Sequence, residues 1–258
     1  ISENKIKNLL KKNIKNKNLI ISNKIHPSEI FIICVPSNIN KRFRQNFSPL
    51  LNSIDKILEV LKKNDLIIIE TTSEVGTTEL IQKYIYNKKK SLFKKSFNKP
   101  NFFMAYCPER VFPGNVVYEI KNNPRLIGGI NTKSNISAKN FFKNLSKKIF
   151  LTKSKIAETA KLVENSYRNV QIGFVNELAN YAEKNNLDVS KIIKLSNLHP
   201  RINLLKPGIG VGGHCIPIDP YYLIKNESKN FKLLQASIKT NENRPIIISN
   251  NLQKITKK

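Results

Sequence analysis

Two short apolar runs constrain the fold of this chain more than any other feature. Ile30 to Val35 (IFIICV), closed by Pro36, and Leu66 to Ile69 (LIII) offer water no polar residue on either face. Unalternated, β-branched runs of this length predict strands covered on both sides, the pattern of a parallel sheet between helical layers. Between them, Leu50, Ile54, Ile57, Leu58 and Leu61 recur at helical spacing. After the second run come Glu70, Thr71, Thr72, Ser73, Val75 and Gly76, then a helix expected from Thr78 to Tyr86. Ligands of such βα units collect at the carboxyl ends of the strands. Asn101 to Tyr106, Arg125 to Ile130 and, more weakly, Lys148 to Leu151 continue the alternation. The expected class is therefore α/β, a doubly wound parallel sheet. The lysine-rich stretch from Asn87 to Lys99 reads as solvated surface.

From Ile156 the texture becomes helical. Ala157 to Lys184 is amphipathic, without proline and with one glycine, Gly173. Lys161 and Asn165 share a face of that helix, with Arg168 and Asn169 one turn on. Such a stripe is either a solvated surface or the lining of a pocket; asparagine and arginine beside lysine, without a Glu/Lys ladder, favour the pocket. Asp188 is expected to cap a helix from Val189 to Asn197. A last helix is expected from about Phe231, kinked or broken at Pro245.

The segment Pro207 to Tyr221, PGIGVGGHCIPIDPY, carries the chemistry. Gly208, Gly210, Gly212 and Gly213 permit positive φ and close approach. Pro207, Pro217 and Pro220 stiffen the loop. Cys215, with Asp219 four residues on, is placed as a nucleophilic thiolate would be. A cysteine in an ordinary turn is the plain alternative, and the density of glycine and proline around it argues against that.

Composition removes other classes. The net charge of +27 invites a nucleic-acid reading. The lysines are dispersed, however, and mixed with asparagine and isoleucine, residues that share adenine- and thymine-rich codons. No zinc-finger, basic-zipper or RNP-type motif accompanies them, so neither nucleic acid nor a membrane surface is expected as partner. Cys34, Cys107 and Cys215 are odd in number and far apart. This argues against a disulfide framework or a paired-cysteine metal site and suits a reducing, cytoplasmic setting. Cys34 and Cys107 are expected in the core.

The matching segments are FIICVPS (31–37), ETTSEVGTTE (70–79), AYCPERVFPGNVVYEI (105–120), NPRLIGG (123–129), AETAKLVENSYRNVQIGFVNELA (157–179) and HPRINLLKPGIGVGGHCIPIDPYYL (199–223). In this order they resemble the UDP-glucose/GDP-mannose dehydrogenase family, nearest its UDP-N-acetylmannosaminuronate-forming branch. Pro113, where UDP-glucose enzymes carry a second glutamate, leans toward the N-acetylhexosamine branches. The resemblance implies a Rossmann-type NAD domain, a central helical region and a C-terminal nucleotide domain. Residues 1–152 are then expected as a partial NAD-binding domain lacking its first βαβ, and 153–258 as the central catalytic and dimerisation region. The UDP-binding domain is expected to be absent. Ile1 in place of methionine agrees with a chain that starts inside a longer one, and such a piece alone is expected to bind NAD poorly and turn over little.

By the same resemblance, a UDP-N-acetylhexosamine is oxidised at C6 to the carboxylate in two NAD-dependent steps, without metal. UDP-N-acetylmannosamine is the first choice and UDP-N-acetylglucosamine the alternative. Cys215 is the nucleophile, forming a thiohemiacetal and then a thioester. Lys161 donates and accepts protons and steadies an oxyanion, with Asn165 as its companion. Asp219 orients Lys161 or a water, and these four are expected to converge in one cleft. Glu109 either assists thioester hydrolysis or forms a structural salt bridge. Ser37 and Thr72 lie near NAD. Arg110, Val111, Lys161, Asn165, Arg168, His199, Arg201 and Gly212 contact substrate, the arginines because their forks pair with oxyanions. The HPR arginine reaches a neighbouring subunit, so a homodimer is implied. The rival within this reading is an inactive fragment of such an enzyme.

Overall fold

The computed structural model describes residues 4–40, 44–94, 96–111, 114–225 and 228–256. Pro113 lies outside the described residues. The elements are α1 (Asn4–Lys15), β1 (Ile30–Ile33), α2 (Ser48–Val60), β2 (Leu66–Ile69), α3 (Thr77–Lys88), β3 (Phe103–Tyr106) and α4 (Val116–Asn122). They continue with β4 (Arg125–Gly129), α5 (Thr132–Phe142), β5 (Ile149–Lys153), α6 (Ser154–Lys184), α7 (Val189–Ser196), α8 (Asp219–Ile224) and α9 (Lys232–Thr256). Two compact units divide the chain: Ile1–Asn38 with Gln45–Lys161, and Ile39–Arg44 with Leu162–Lys258. Among the described residues no helix is long and apolar enough to cross a membrane.

In the first unit a five-stranded sheet runs in the order β1-β2-β3-β4-β5. β1, β2 and β3 are parallel, with Ile33 beside Ile69 and Ile69 beside Tyr106. β2 lies between β1 and β3. Its side chains alternate: Ile67 and Ile69 join the cluster of α2 and α3, whereas Leu66 and Ile68 join Ile127, Ala138 and Phe142 on the other face. All four are at most 2 % exposed, and each such side chain contributes roughly 1.5–3 kcal/mol through burial. This is the helix–sheet–helix layering that an unalternated run predicts.

Three expectations need correction. The sheet is not parallel throughout, because β3 and β4 pair antiparallel through Ala105–Gly129 and Tyr106–Gly128. A parallel return needs a long crossover packed on the sheet. Between these strands, among the described residues, stands one helix, α4, seven residues with none buried, so the chain comes back in the opposite sense. β4 and β5, joined by α5, are parallel again. The run at β1 is not covered on both faces either: Ile32 is 43 % exposed, since β1 is an edge of the sheet. The lysine-rich stretch is not merely solvated. α3 extends to Lys88, and Leu92 and Phe93 are buried. Phe93 meets Tyr86 and Phe102 edge-on, with centroids 5.0 and 5.6 Å away. Gly128 on β4 is a close-approach position, because a Cβ there would lie 2.7 Å from both the Ala157 Cβ and the Ser154 Cα at the start of α6.

The second unit packs its part of α6 against α8 and α9. Ile224, Leu234 and Ile238 form its small apolar cluster, with Val170, Tyr221, Leu223 and Phe231 against it. A buried polar seam does the rest. The Ser237 hydroxyl donates to Asn169 Oδ1 at 2.7 Å, Asn241 donates to the Asn169 carbonyl at 3.0 Å, and Asn176 donates to Asn241 at 3.0 Å. Gly173 makes that crossing close, since a Cβ there would stand 2.9 Å from the Ser237 Cβ. Asp188 caps α7 by accepting from the Lys191 amide, as expected. α9 does not break at Pro245, which lies inside one continuous helix.

Candidate active site

In the second unit the cysteine loop is pinned to α6. Gly212 and Gly213 take φ of +65° and +74°, a left-handed bend that costs glycine little. Gly208 and Gly210 do not use that freedom; Gly210 packs beside Pro245, whose Cγ would lie 3.4 Å from an added Cβ. Beyond this bend, the Cys215 carbonyl accepts from the amides of Ile218 and Asp219 at 3.0 and 2.9 Å. That turn leads into α8 and leaves Cys215 exposed. Asp219 is 3 % exposed and accepts from Asn165 Nδ2 at 2.5 Å. A carboxylate this deep requires such a partner. Asn169 Nδ2 reaches the Ile216 carbonyl at 3.4 Å, and Asn176 Oδ1 accepts from the Gly208 amide at 2.9 Å. Asn165 and Asp219 are thus brought together beside the cysteine turn.

Asn169 was expected only as part of a pocket-lining stripe, and Asn176 was not expected at the site. Their signal was present in the asparagine spacing 165, 169, 176 and 180 along one helix, which keeps one face. Arg168, His199, Arg201 and Gly212 are exposed, and the Arg201 amide lies 3.4 Å from His199 Nδ1. Arg201 also lines a cavity of about 570 Å³ with Tyr167, Phe174, Leu204 and Leu233. Gly212 lines another, of about 560 Å³.

In the first unit the carboxyl ends of β1 and β2 carry Ser37 and Thr72, both half-buried. Ser37 Oγ lies 3.5 Å from Gln45 Nε2. The neighbouring Thr71 hydroxyl ties the two strand ends together by donating to Val35 O at 3.0 Å. Glu109 carries the ion pair that was one of its two readings: Arg125, 7 % exposed, reaches Glu109 at 3.1 Å and Glu70 at 3.0 Å. Arg125 also stacks on Phe142, 4.2 Å from the ring centroid. Glu109 further accepts from the Arg110 amide at 2.6 Å, and the Arg110 guanidinium donates to Pro124 O at 2.9 Å. Val111 and, on α6, Lys161 are half-buried.

Cys107 is fully buried, and burial pushes its thiol well above the usual range. Cys34 is not a core residue. It is exposed and donates to Glu70 Oε2 at 3.2 Å; partial burial of the sulfur, then that carboxylate, pushes its pKa up to about 12. Because the thiolate is the nucleophile, iodoacetamide at about pH 8 should leave Cys34 largely unlabelled, and Glu70→Gln should speed its labelling severalfold. Peptide mass mapping reads this directly; equal labelling in both proteins would contradict it.

For a dinucleotide the fit is partial. The amides that open α3 are occupied by Glu158, which accepts from Gly76 N at 2.6 Å and Thr78 N at 2.8 Å, so they do not offer a pyrophosphate seat. Ser37 and Thr72 do place hydroxyls at the carboxyl ends of the strands, where ligands of such sheets collect.

Two family models match this chain. Residues 1–146 match the NAD binding domain of the UDP-glucose/GDP-mannose dehydrogenase family, and residues 155–243 match its central domain. The chain belongs to the UDP-glucose/GDP-mannose dehydrogenase family. Within that family, a UDP-N-acetyl-D-mannosamine dehydrogenase of Methanocaldococcus jannaschii is 39 % identical over 261 residues, covering 100 % of this chain and 58 % of its own. The UDP-D-ManNAc dehydrogenase of Pyrococcus horikoshii superposes with a TM-score of 0.91 at 35 % identity, over 98 % of this chain and 60 % of that one. The Staphylococcus aureus UDP-N-acetyl-mannosamine dehydrogenase gives 0.87 at 31 % identity, over 100 % and 61 %. The chain thus spans about three-fifths of the length of these dehydrogenases.

Proposed function

We propose that this chain carries the catalytic residues of an NAD-dependent dehydrogenase that oxidises the C6 hydroxymethyl of UDP-N-acetylmannosamine to the uronate, a precursor of surface polysaccharide. The observation that supports this most is the exposed Cys215, held on a bent loop whose Asp219 and Ile216 are anchored by Asn165 and Asn169. A buried anchor under an exposed thiol suits a nucleophile that must meet a substrate carbon without moving.

NAD bound beside Ser37 and Thr72 would supply the hydride acceptor for each of the two oxidations at C6. Lys161 takes the hydroxyl proton in the first, and its ammonium then steadies the oxygen while the Cys215 thiolate adds to the aldehyde. The C–S bond persists through the second oxidation, which leaves a thioester. Water cleaves it, returning the Cys215 thiol and releasing the carboxylate. Asn165 and Asp219 hold the cysteine turn and a water. Glu109, paired with Arg125, fixes the loop of Arg110 and Val111 on the sugar nucleotide, and Arg168 and His199 complete its contacts. The working form is a homodimer: Arg201 belongs to the partner's site, and the exposed Tyr167, Phe174 and Leu233 beside it suit a second copy.

Steady-state assay of the protein expressed from its complete gene decides the substrate. NADH should form with UDP-N-acetylmannosamine and be weak or absent with UDP-N-acetylglucosamine and UDP-glucose. Turnover of UDP-glucose alone would refute the reading.

A further inference from the structure

Glu158 is a fully buried carboxylate, 0 % exposed, and the chemistry above gives it no role. It projects from the first turns of α6 and accepts three hydrogen bonds from one place, the start of α3. The Gly76 amide donates to one oxygen at 2.6 Å; the Thr78 amide and hydroxyl donate to the other at 2.8 and 2.6 Å. Gly76 has φ +93°, which turns its amide into the site. The nearby exposed pair Lys155–Glu79, 2.8 Å apart, spans the same two helices.

The donors offset part of the cost of burial. Burial, with nearby Glu79, holds the Glu158 carboxyl above its ordinary range, and the bonds from Thr78 and Gly76 act the other way. Amides at a helix start otherwise lack partners and favour negative charge. Each side thus satisfies the other: α3 needs an acceptor, and the buried carboxylate needs donors.

The position of this anchor gives it a consequence. Toward the N-terminus of Gly76 runs the strand-end loop with Thr72; three residues beyond Glu158, on the next turn of α6, stands Lys161. We propose that Glu158 is a positioning residue, clamping the Thr72 loop and the Lys161 turn into one rigid piece. Resting on the function proposed above, the clamp fixes the nicotinamide-side hydroxyl and the proton-transferring lysine relative to each other. Misplacement of a reacting group by about 1 Å can cost on the order of a hundredfold in rate.

Two readouts test this in the protein expressed from its complete gene. Glu158→Gln puts an N–H against an amide donor, so kcat should fall about tenfold to a hundredfold while both KM values stay within about threefold. Independently of turnover, amide exchange at Gly76 and Thr78 should become about tenfold or more faster at unchanged exchange in β2. Should Glu158→Gln fail to fold, Thr78→Val removes one donor from the other side and should shift both readouts in the same direction by less. Unchanged exchange, or faster exchange with wild-type kcat, overturns the clamp. A wild-type protein without turnover but with the exchange effect keeps the anchor and removes the functional reading instead.

Discussion

Replacing Cys215 with serine is expected to reduce uronate formation by on the order of 10⁴-fold or more, because removal of a covalent nucleophile costs rates of that order. Serine is nearly isosteric and the residue is exposed, so no core contact is lost. The fold should be intact, since the turn is made by the Cys215 backbone carbonyl and not by its sulfur. What is lost is the thiolate. A serine hydroxyl is scarcely ionised near neutrality, and an oxygen ester would turn over more slowly than a thioester. Product quantitation by mass spectrometry beside an unchanged melting temperature is the expected pair of results. Wild-type uronate formation in this variant would remove the thioester mechanism.

Lys161→Ala should slow hydride transfer by about 10²- to 10⁴-fold, the usual worth of a positioned acid–base group. Alanine favours helix, and Lys161 is only half-buried within α6, so stability should change little. In the proposed mechanism the loss would fall on charge developing at the substrate oxygen, and for that reason kcat should drop more than KM rises. Single-turnover measurements with substrate deuterated at C6 separate this from product release. A single-turnover rate that stays at the wild-type value, with its deuterium effect intact, would show that Lys161 does not assist hydride transfer.

Much of this was legible in the chain, and what was not has physical reasons. β2 was exact because LIII is satisfied only by burial on both faces, and no competing period exists within it. The Asp188 cap was local chemistry and equally plain. The antiparallel turn from β3 to β4 was hidden, since it depends on what α4 fails to bury and not on any residue of the strands. Cys34 was misplaced because an apolar run does not announce that its strand lies at an edge or, as here, ends at Ile33, one residue before the cysteine. In the site, Cys215 and Asp219 stood out through glycine and proline. Asn165 and Asn169 stood out as a helical stripe, but their particular partners, Asp219 and the Ile216 carbonyl, lie in a loop some fifty residues away that helical spacing does not specify. Glu158 gave no sign at all: a glutamate in an amphipathic helix ordinarily faces water, and its donors lie about eighty residues upstream.

The stoichiometry of products separates a covalent four-electron oxidation from a simple alcohol dehydrogenation. With UDP-N-acetylmannosamine as substrate, two NADH are expected for every uronate formed. No free aldehyde should be released, and an acid-quenched sample should carry the sugar acyl group on the peptide containing Cys215. One NADH per sugar with release of the aldehyde would contradict the claim, and so would two NADH from a protein whose Cys215 never becomes modified.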